Sequence, residues 1–303
     1  MKAEAAGAMA NVRKVGLIGT GIMGTPMALN LIKAGFDVAV HSRTGSKAQP
    51  VIDAGGRWRA SPRELAGNVD VVITVVPDSP DVEAVYLDDD GVCAGLRSGS
   101  IAIDMSTVSP DTARTVATAV GQRGASFLDA PVSGGKTGAE AGTLAIMVGG
   151  EADVLERAMP VLEGMGKTIV HCGPCGAGQL TKLCNQILCG LNLLAVSEAM
   201  VFAQRVGLDQ ATMLKVVSSG AAGSWAVDHL GTRMERRDFA PMFMIDLQQK
   251  DLRIALESAR NASVPLPGTS LVHQLLTANQ AAGEGREGTQ ALVKTLERLA
   301  AGA

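Results

Sequence analysis

Aromatic side chains are scarce: five Phe, two Trp and one Tyr make up 3% of the 303 residues. Proteins that grip single-stranded nucleic acid stack bases on aromatic rings, and a chain this poor in them offers no such platform. An excess of one charge is also lacking, because 27 Lys and Arg against 30 Asp and Glu leave a formal net charge of −3. That balance provides no basic face for a phosphate backbone, and 47% hydrophobic against 19% charged residues excludes a disordered, charge-rich chain. The four histidines, at 41, 171, 229 and 273, show none of the spacings of a metal site. The five cysteines, at 93, 172, 175, 184 and 189, are odd in number and irregularly spaced. They argue against a disulfide framework and for a reducing, cytoplasmic setting. Cys172-Gly-Pro-Cys175 has thioredoxin-like spacing without the surrounding pattern, and reads as an incidental pair in a hinge. The N-terminus, with Lys2 and Glu4 before small residues, lacks the sustained apolar run of an export signal. The longest apolar stretch, Leu183 to Ala203, is interrupted by Asn185, Gln186, Asn192 and Glu198. A membrane span is penalised for such groups, so a helix buried inside protein is expected, with no membrane partner.

What the chain has in plenty is glycine, 36 residues, well above the usual ~7%. Its length allows one large or two ordinary domains. From Val12 onward, β-branched runs alternate with helical segments. The expected strands are Lys14–Gly19, Asp37–Ser42, Val69–Val76, Ser100–Asp104, Ser126–Asp129, Thr143–Val148 and Thr168–His171, with a helix over Met23–Ala34 closed by Gly35. Val71 to Val76 is apolar on both faces, as a parallel strand covered by helices on each side must be. After His171 the strand-like runs stop and helical patterns follow at 177–206, 209–219, 223–237, 243–262, 267–282 and 289–300. The expected architecture is α/β: a Rossmann-type doubly wound parallel sheet over residues 12–174, then an all-α domain over 175–303 for substrate and oligomer contacts, with a hinge at the breakers 172–176.

The first strand runs into Gly19-Thr-Gly21-Ile22-Met23-Gly24 and then a helix. A lone G-x-G-x-x-G is a weak signal, but between strand and helix it has the context of a dinucleotide loop. One glycine makes the tight turn, the second lets backbone amides reach the pyrophosphate, and the third packs helix on strand, whose N-terminus then faces the anion. A site selective for NAD places a carboxylate at the end of the second strand. Here that end reads His41-Ser-Arg43-Thr44-Gly-Ser46-Lys47, and Asp37 sits at the wrong end. Arg43, with Thr44 and Ser46, suits a 2′-phosphate instead, so NADP(H) is preferred and NAD(H) remains acceptable; a solvated basic loop is the plainer alternative.

Lys182 falls in the 177–206 helix on a stripe with Asn185, Gln186 and Cys189, while Leu183, Ile187, Leu188, Leu191 and Leu194 occupy the other faces. Burying an unpaired ammonium costs several kcal/mol, so such a stripe meets a ligand cavity, a subunit interface or water reached by a snorkelling lysine.

Gly19–Gly24, Asp129-Ala-Pro-Val-Ser-Gly-Gly135 and Gly176-Ala-Gly-Gln-Leu-Thr-Lys182-Leu-Cys-Asn185, in this order and separation, closely resemble the motifs of the β-hydroxyacid dehydrogenases. The resemblance covers about residues 12–300. That family acts on small acids such as 3-hydroxyisobutyrate, tartronate semialdehyde, glyoxylate and succinic semialdehyde. The likeness implies that Lys182 is catalytic, that Ser133, Gly134 and Gly135 contact substrate and that Asn185 orients it. It further implies that Val76-Pro77, Thr107 and Lys250 line the cofactor site, and that the protein is a homodimer or homotetramer. The chain is far shorter than the related 6-phosphogluconate dehydrogenases and has Asn185-Gln186 in place of their His-Asn pair, which argues against a phosphorylated sugar acid.

The expected activity is therefore NAD(P)-dependent interconversion of a carboxylate-bearing aldehyde and its hydroxy acid, in a site between the domains. Lys182 would act as general acid and base, its pKa lowered by partial burial. The Ser133-Gly-Gly135 turn offers a hydroxyl and exposed amides to a carboxylate, although alone it would read as an ordinary turn. Gly220-Ala-Ala-Gly-Ser224 leans weakly towards a tartronate semialdehyde type. The rival reading is a non-catalytic dinucleotide sensor or scaffold, which would be expected to have lost the lysine.

Overall fold

The computed structural model describes residues 12–301; the N-terminal segment read above for an export signal lies outside them. The chain divides into two compact units, one reaching to Lys182 and the other starting at Leu183.

Among the described residues, nine strands form the sheet of the first unit. They are β1 Lys14–Ile18, β2 Asp37–His41, β3 Arg57–Trp58, β4 Val71–Thr74, β5 Ile101–Asp104, β6 Ser126–Asp129, β7 Val132–Ser133, β8 Leu144–Gly149 and β9 Gly166–Gly173. Their order is β3-β2-β1-β4-β5-β6-β8-β7, with β9 beside β8. The first six strands are parallel, as the alternation predicts. Beyond them β8 runs antiparallel to both β6 and β7, so the sheet is dominated by parallel strands, as expected, with an antiparallel extension at one side. The chain continues from β6 through Ala130 and Pro131 into β7 in the same direction, and reverses across residues 134–143 to bring β8 back between them.

Alternation across the sheet accounts for the doubly apolar β4. Val71 and Ile73 join one core with Leu17, Met27, Leu31 and Ile103, whereas Val72 joins the other with Ile18, Tyr86, Ala102 and Val116. The helix Gly24–Lys33 ends as expected at Gly35, whose φ of +91° few side chains tolerate; the Gly35 and Phe36 amides return to Ile32 and Leu31 carbonyls.

The second unit is helical, with Gln210–Ser218, Ile245–Asn261, Pro267–Ala281 and Leu292–Ala301 following the helix Ala177–Arg205 that begins in the first unit. Where one helix is expected over 223–237, the chain forms a π-helical stretch, Ala226–Gly231, and one α-turn, Thr232–Glu235. The wider turn of a π-helix leaves no trace in a 3.6-residue reading. Ala177–Arg205 is long and apolar enough to cross a bilayer, with a mean hydropathy of 1.6 over its most apolar 18-residue window. Its Leu193, Leu194, Val196 and Met200 instead pack with Leu252, Val272, Leu276 and Leu292 in the core of this unit.

Candidate active site

The glycine turn lies where strand order reverses, between β1 and its neighbours β2 and β4. The Gly19 amide donates to the His41 carbonyl and the Val75 amide to that of Ile18, each at 2.9 Å, binding the turn to both strand ends. Gly19 has φ +105°, and a Cβ there would overlap the Val75 carbonyl oxygen. A Cβ on Gly24 would run into the Gly19 carbonyl, so only glycine lets the helix start this close to the strand. Gly21 differs: nothing lies within 4 Å of where its Cβ would stand. The motif therefore divides as its spacing implies, into a tight turn, an open approach and a packing contact. The Thr20 hydroxyl is buried with no hydrogen-bond partner among the described residues, and its chemistry suits a polar ligand group. Ile22 is exposed and Met23 half-buried beside it. These features fit a dinucleotide pyrophosphate.

The next two strand ends are tied by a carboxylate that sequence reasoning missed. Asp104, fully buried at the end of β5, accepts from Thr74 Oγ1 at 2.6 Å and from Ser106 Oγ at 2.7 Å. Ser106 Oγ in turn accepts from the Val76 amide at 2.9 Å, and the Tyr86 hydroxyl stands 3.3 Å from Thr74 Oγ1. The Val76-Pro77 and Thr107 segments, both expected at the cofactor, thus hang from one buried knot. Burial pushes the Asp104 carboxyl up to about 6, against the hydrogen bonds from Thr74 and Ser106, and nearby Asp129 adds to the rise.

At the end of β2 the expected absence of a carboxylate holds for the strand itself, since Asp37 at its start pairs with Arg57. The Arg43 side chain is 89% exposed, and its guanidinium lies 3.6 Å from the Asp81 carboxylate, a neighbour the sequence did not suggest. Thr44 beside it precedes the short 3₁₀ turn Gly45–Ala48.

Ser133 ends β7, and Gly134 and Gly135 follow with φ of +130° and +59°. Positive φ at two successive residues is a backbone that glycine adopts readily, and the helix Gly135–Ala141 starts there. Lys182, only 7% exposed, lies in the second turn of the helix Ala177–Arg205. In the second unit, the Asn185 side-chain amide donates to Gln186 Oε1 at 2.8 Å, Gln186 donates to Asp251 Oδ2 at 2.5 Å, and Lys250 pairs with Asp251 at 2.8 Å. Asn185 and Lys250, far apart in sequence, therefore belong to one polar chain. Its buried centre, Gln186 and Asp251, falls outside the expected site residues, although Gln186 already stood on the polar stripe.

The five cysteines are free. Burial, together with the carboxylate of Asp129, pushes the Cys175 thiol up to about 12. A thiol held protonated is a poor nucleophile for disulfide exchange.

A sheet in this order with a glycine turn at its reversal point marks a dinucleotide-binding protein. Residues 14–173 match the family model described as the NAD binding domain of 6-phosphogluconate dehydrogenase. Residues 176–296 match the one described as NAD-binding of NADP-dependent 3-hydroxyisobutyrate dehydrogenase. The chain is 40% identical over 287 residues to the 2-hydroxy-3-oxopropionate reductase of Escherichia coli, covering 95% of this chain and 98% of that protein. It is 38% identical over 290 residues to the 2-(hydroxymethyl)glutarate dehydrogenase of Eubacterium barkeri, covering 94% and 95%. A solved structure of 3-hydroxyisobutyrate dehydrogenase from Mycobacterium tuberculosis with L-serine superposes with a TM-score of 0.87 at 35% identity, covering 94% of this chain and 99% of that one. The chain belongs to the β-hydroxyacid dehydrogenase family. It is an oxidoreductase that uses a nicotinamide dinucleotide, and these relatives favour catalysis over a sensor or scaffold role.

Two outcomes follow from this geometry. Gly21→Val adds its carbons to open space, so the melting temperature stays near wild type while dinucleotide affinity falls about ten- to hundred-fold through lost amide–phosphate bonds. Gly24→Val collides with Gly19 and loses folded protein; thermal melts and dinucleotide titration of both variants check the contrast. For Asp104, the folded state keeps a proton that the unfolded chain, at 3.8, has already released. Its contribution to stability is therefore present below pH 4 and lost as pH rises through about 6. The melting temperature of Asp104→Asn relative to wild type should climb between these values, and a constant difference across pH would contradict the assignment.

Proposed function

We propose that the protein interconverts a small carboxylate-bearing aldehyde and its hydroxy acid, with Lys182 as general acid and base. The observation that carries this reading is the nearly buried Lys182 ammonium on a helix whose first turn is anchored at the end of β6, where the segment leading to the Ser133–Gly135 turn also begins. The bound dinucleotide would supply or accept the hydride. The Gly19–Gly24 amides would hold its pyrophosphate, with Val76, Pro77, Thr107 and Lys250 along its length. Ser133 and the Gly134 and Gly135 amides would bind the substrate carboxylate, and Asn185 would fix the reacting end. As hydride reaches the aldehyde carbon, negative charge builds on oxygen; the Lys182 ammonium stabilises it and gives up a proton, and takes one back in the oxidative direction. The names of the E. coli and Eubacterium relatives, and the L-serine in the M. tuberculosis structure, support a small acid with oxygen near its carboxylate.

The exposed side chains Leu188, Phe202 and Val206, at 62%, 68% and 58%, form an apolar stripe along the long helix and support a homodimer or homotetramer. The free cysteines suit a reducing, cytoplasmic setting.

Lys182→Ala should retain dinucleotide affinity and lose about 10²- to 10⁴-fold in kcat with a semialdehyde acid, the usual worth of positioned acid–base catalysis. Lys182→Arg should also be poor, because guanidinium does not release its proton near neutral pH. Wild-type turnover by a folded Lys182→Ala protein would remove the lysine from the mechanism.

NADPH should be preferred to NADH. The β2 end offers Arg43 and Thr44 and no carboxylate, and the exposed Arg43–Asp81 pair is cheap to break. Charged hydrogen bonds to a 2′-phosphate are worth about 1.5–3 kcal/mol, roughly a ten- to hundred-fold preference. KM for each cofactor in wild type and Arg43→Ala provides the check: the substitution should raise the NADPH value and spare that for NADH.

A further inference from the structure

The helix Ala177–Arg205 opens on Gly176, which has φ +92° and no side chain with which to cap its own first turn. The cap comes from 47 residues earlier: Asp129 Oδ1 accepts from the Gly176 amide at 2.7 Å, and Oδ2 from the Gln179 amide at 2.9 Å. A carboxylate there satisfies two of the donors that every helix start leaves over, and opposes the positive end of the helix dipole. The fit is close. A Cβ on Gly178 would strike the carbonyl oxygens of Met147 and Asp129, and one on Gly149 would strike the Asp129 carboxylate. Asp129 is also the first residue of the segment that leads to Ser133, Gly134 and Gly135.

Gln179, fully buried one turn before Lys182, reaches in another direction. Its Oε1 accepts from the Val108 amide at 3.1 Å and its Nε2 donates to the Ser106 carbonyl at 2.9 Å, gripping the backbone on both sides of Thr107. Neither residue has a role in the chemistry proposed above, yet between them they join three segments that do.

We propose that Asp129 and Gln179 are positioning residues: Asp129 fixes the start of the Lys182 helix to the foot of the substrate-binding turn, and Gln179 fixes that helix to the Thr107 segment. The inference rests on the reductase reading above. Reaction geometry is unforgiving, and a shift of about 1 Å in a reacting group costs about 10²-fold in rate. Asp129→Asn sets an amide donor against one of two N–H donors, so the helix start moves. Gln179→Met keeps the volume and removes both bonds to the Thr107 segment.

The experiment measures kcat, KM, dinucleotide Kd and the primary isotope effect from 4-deuterated cofactor in wild type and both variants, with a semialdehyde acid as substrate. Expected are a fall of about ten- to hundred-fold in kcat, a Kd within a few-fold of wild type, and a larger isotope effect as hydride transfer becomes the slow step. Should Asp129→Asn fail to fold, Gln179→Met carries the test alone. Folded variants with unchanged kcat and isotope effect would reduce both residues to structural supports. A wild-type protein that turns over no semialdehyde acid would instead overturn the reductase reading itself.

Discussion

The carboxyl end of the sheet depends on one backbone-to-backbone constraint, the seating of the Gly19 turn against the end of β4. With Gly19 pressed on the Val75 carbonyl and Gly24 on Gly19, the first helix begins as close to its strand as main chains can approach. Any side chain at either position would wedge helix from strand or β1 from β4. Only because these two contacts are filled does Gly21 stand clear, with its amide side open to whatever comes to the helix start.

Further along the same edge, polar contacts replace steric ones. Asp104 and Asp129 are both fully buried, each at the last position of its strand, and each gathers hydroxyl or amide donors from neighbouring segments rather than from a partner cation. Burying a carboxylate is costly, and hydrogen bonds to its charged form offset that cost only while all the donors stay in place. Such groups add little net stability. What they contribute is specificity of arrangement, because the loops that satisfy them have one way of doing so.

The legibility of this chain in its sequence follows the range of the forces involved. The parallel strands, the glycine turn and Gly35 rest on local pattern: β-branched runs, a three-glycine spacing and a helix stop within a few residues. The same holds for the long helix, whose polar stripe already marked Gln186. Two-residue strands such as Arg57–Trp58 have no period to detect, and they exist because a neighbouring edge supplies partners. Asp129, Gln179, Asp104 and Asp251 were passed over for a related reason. Their partners lie 47 residues away for Gly176, 71 for Val108 and 65 for Gln186, and an acidic or amide side chain in a sequence does not announce what it will meet. The motifs contained Asp129 and Gln179; what they lacked was any sign that the Asp129 carboxylate meets the Gln179 amide and that the Gln179 side chain meets the backbone around Thr107.

The Arg43–Asp81 pair has a consequence for the medium in which the protein works. Both groups stand partly or wholly in water, so the pull of Arg43 on any anion is screened within about 8 Å at physiological ionic strength and weakens further as salt is added. The Asp104 knot is buried and is screened far less. One end of this sheet edge is thus tuned by the surrounding electrolyte while the other is nearly indifferent to it.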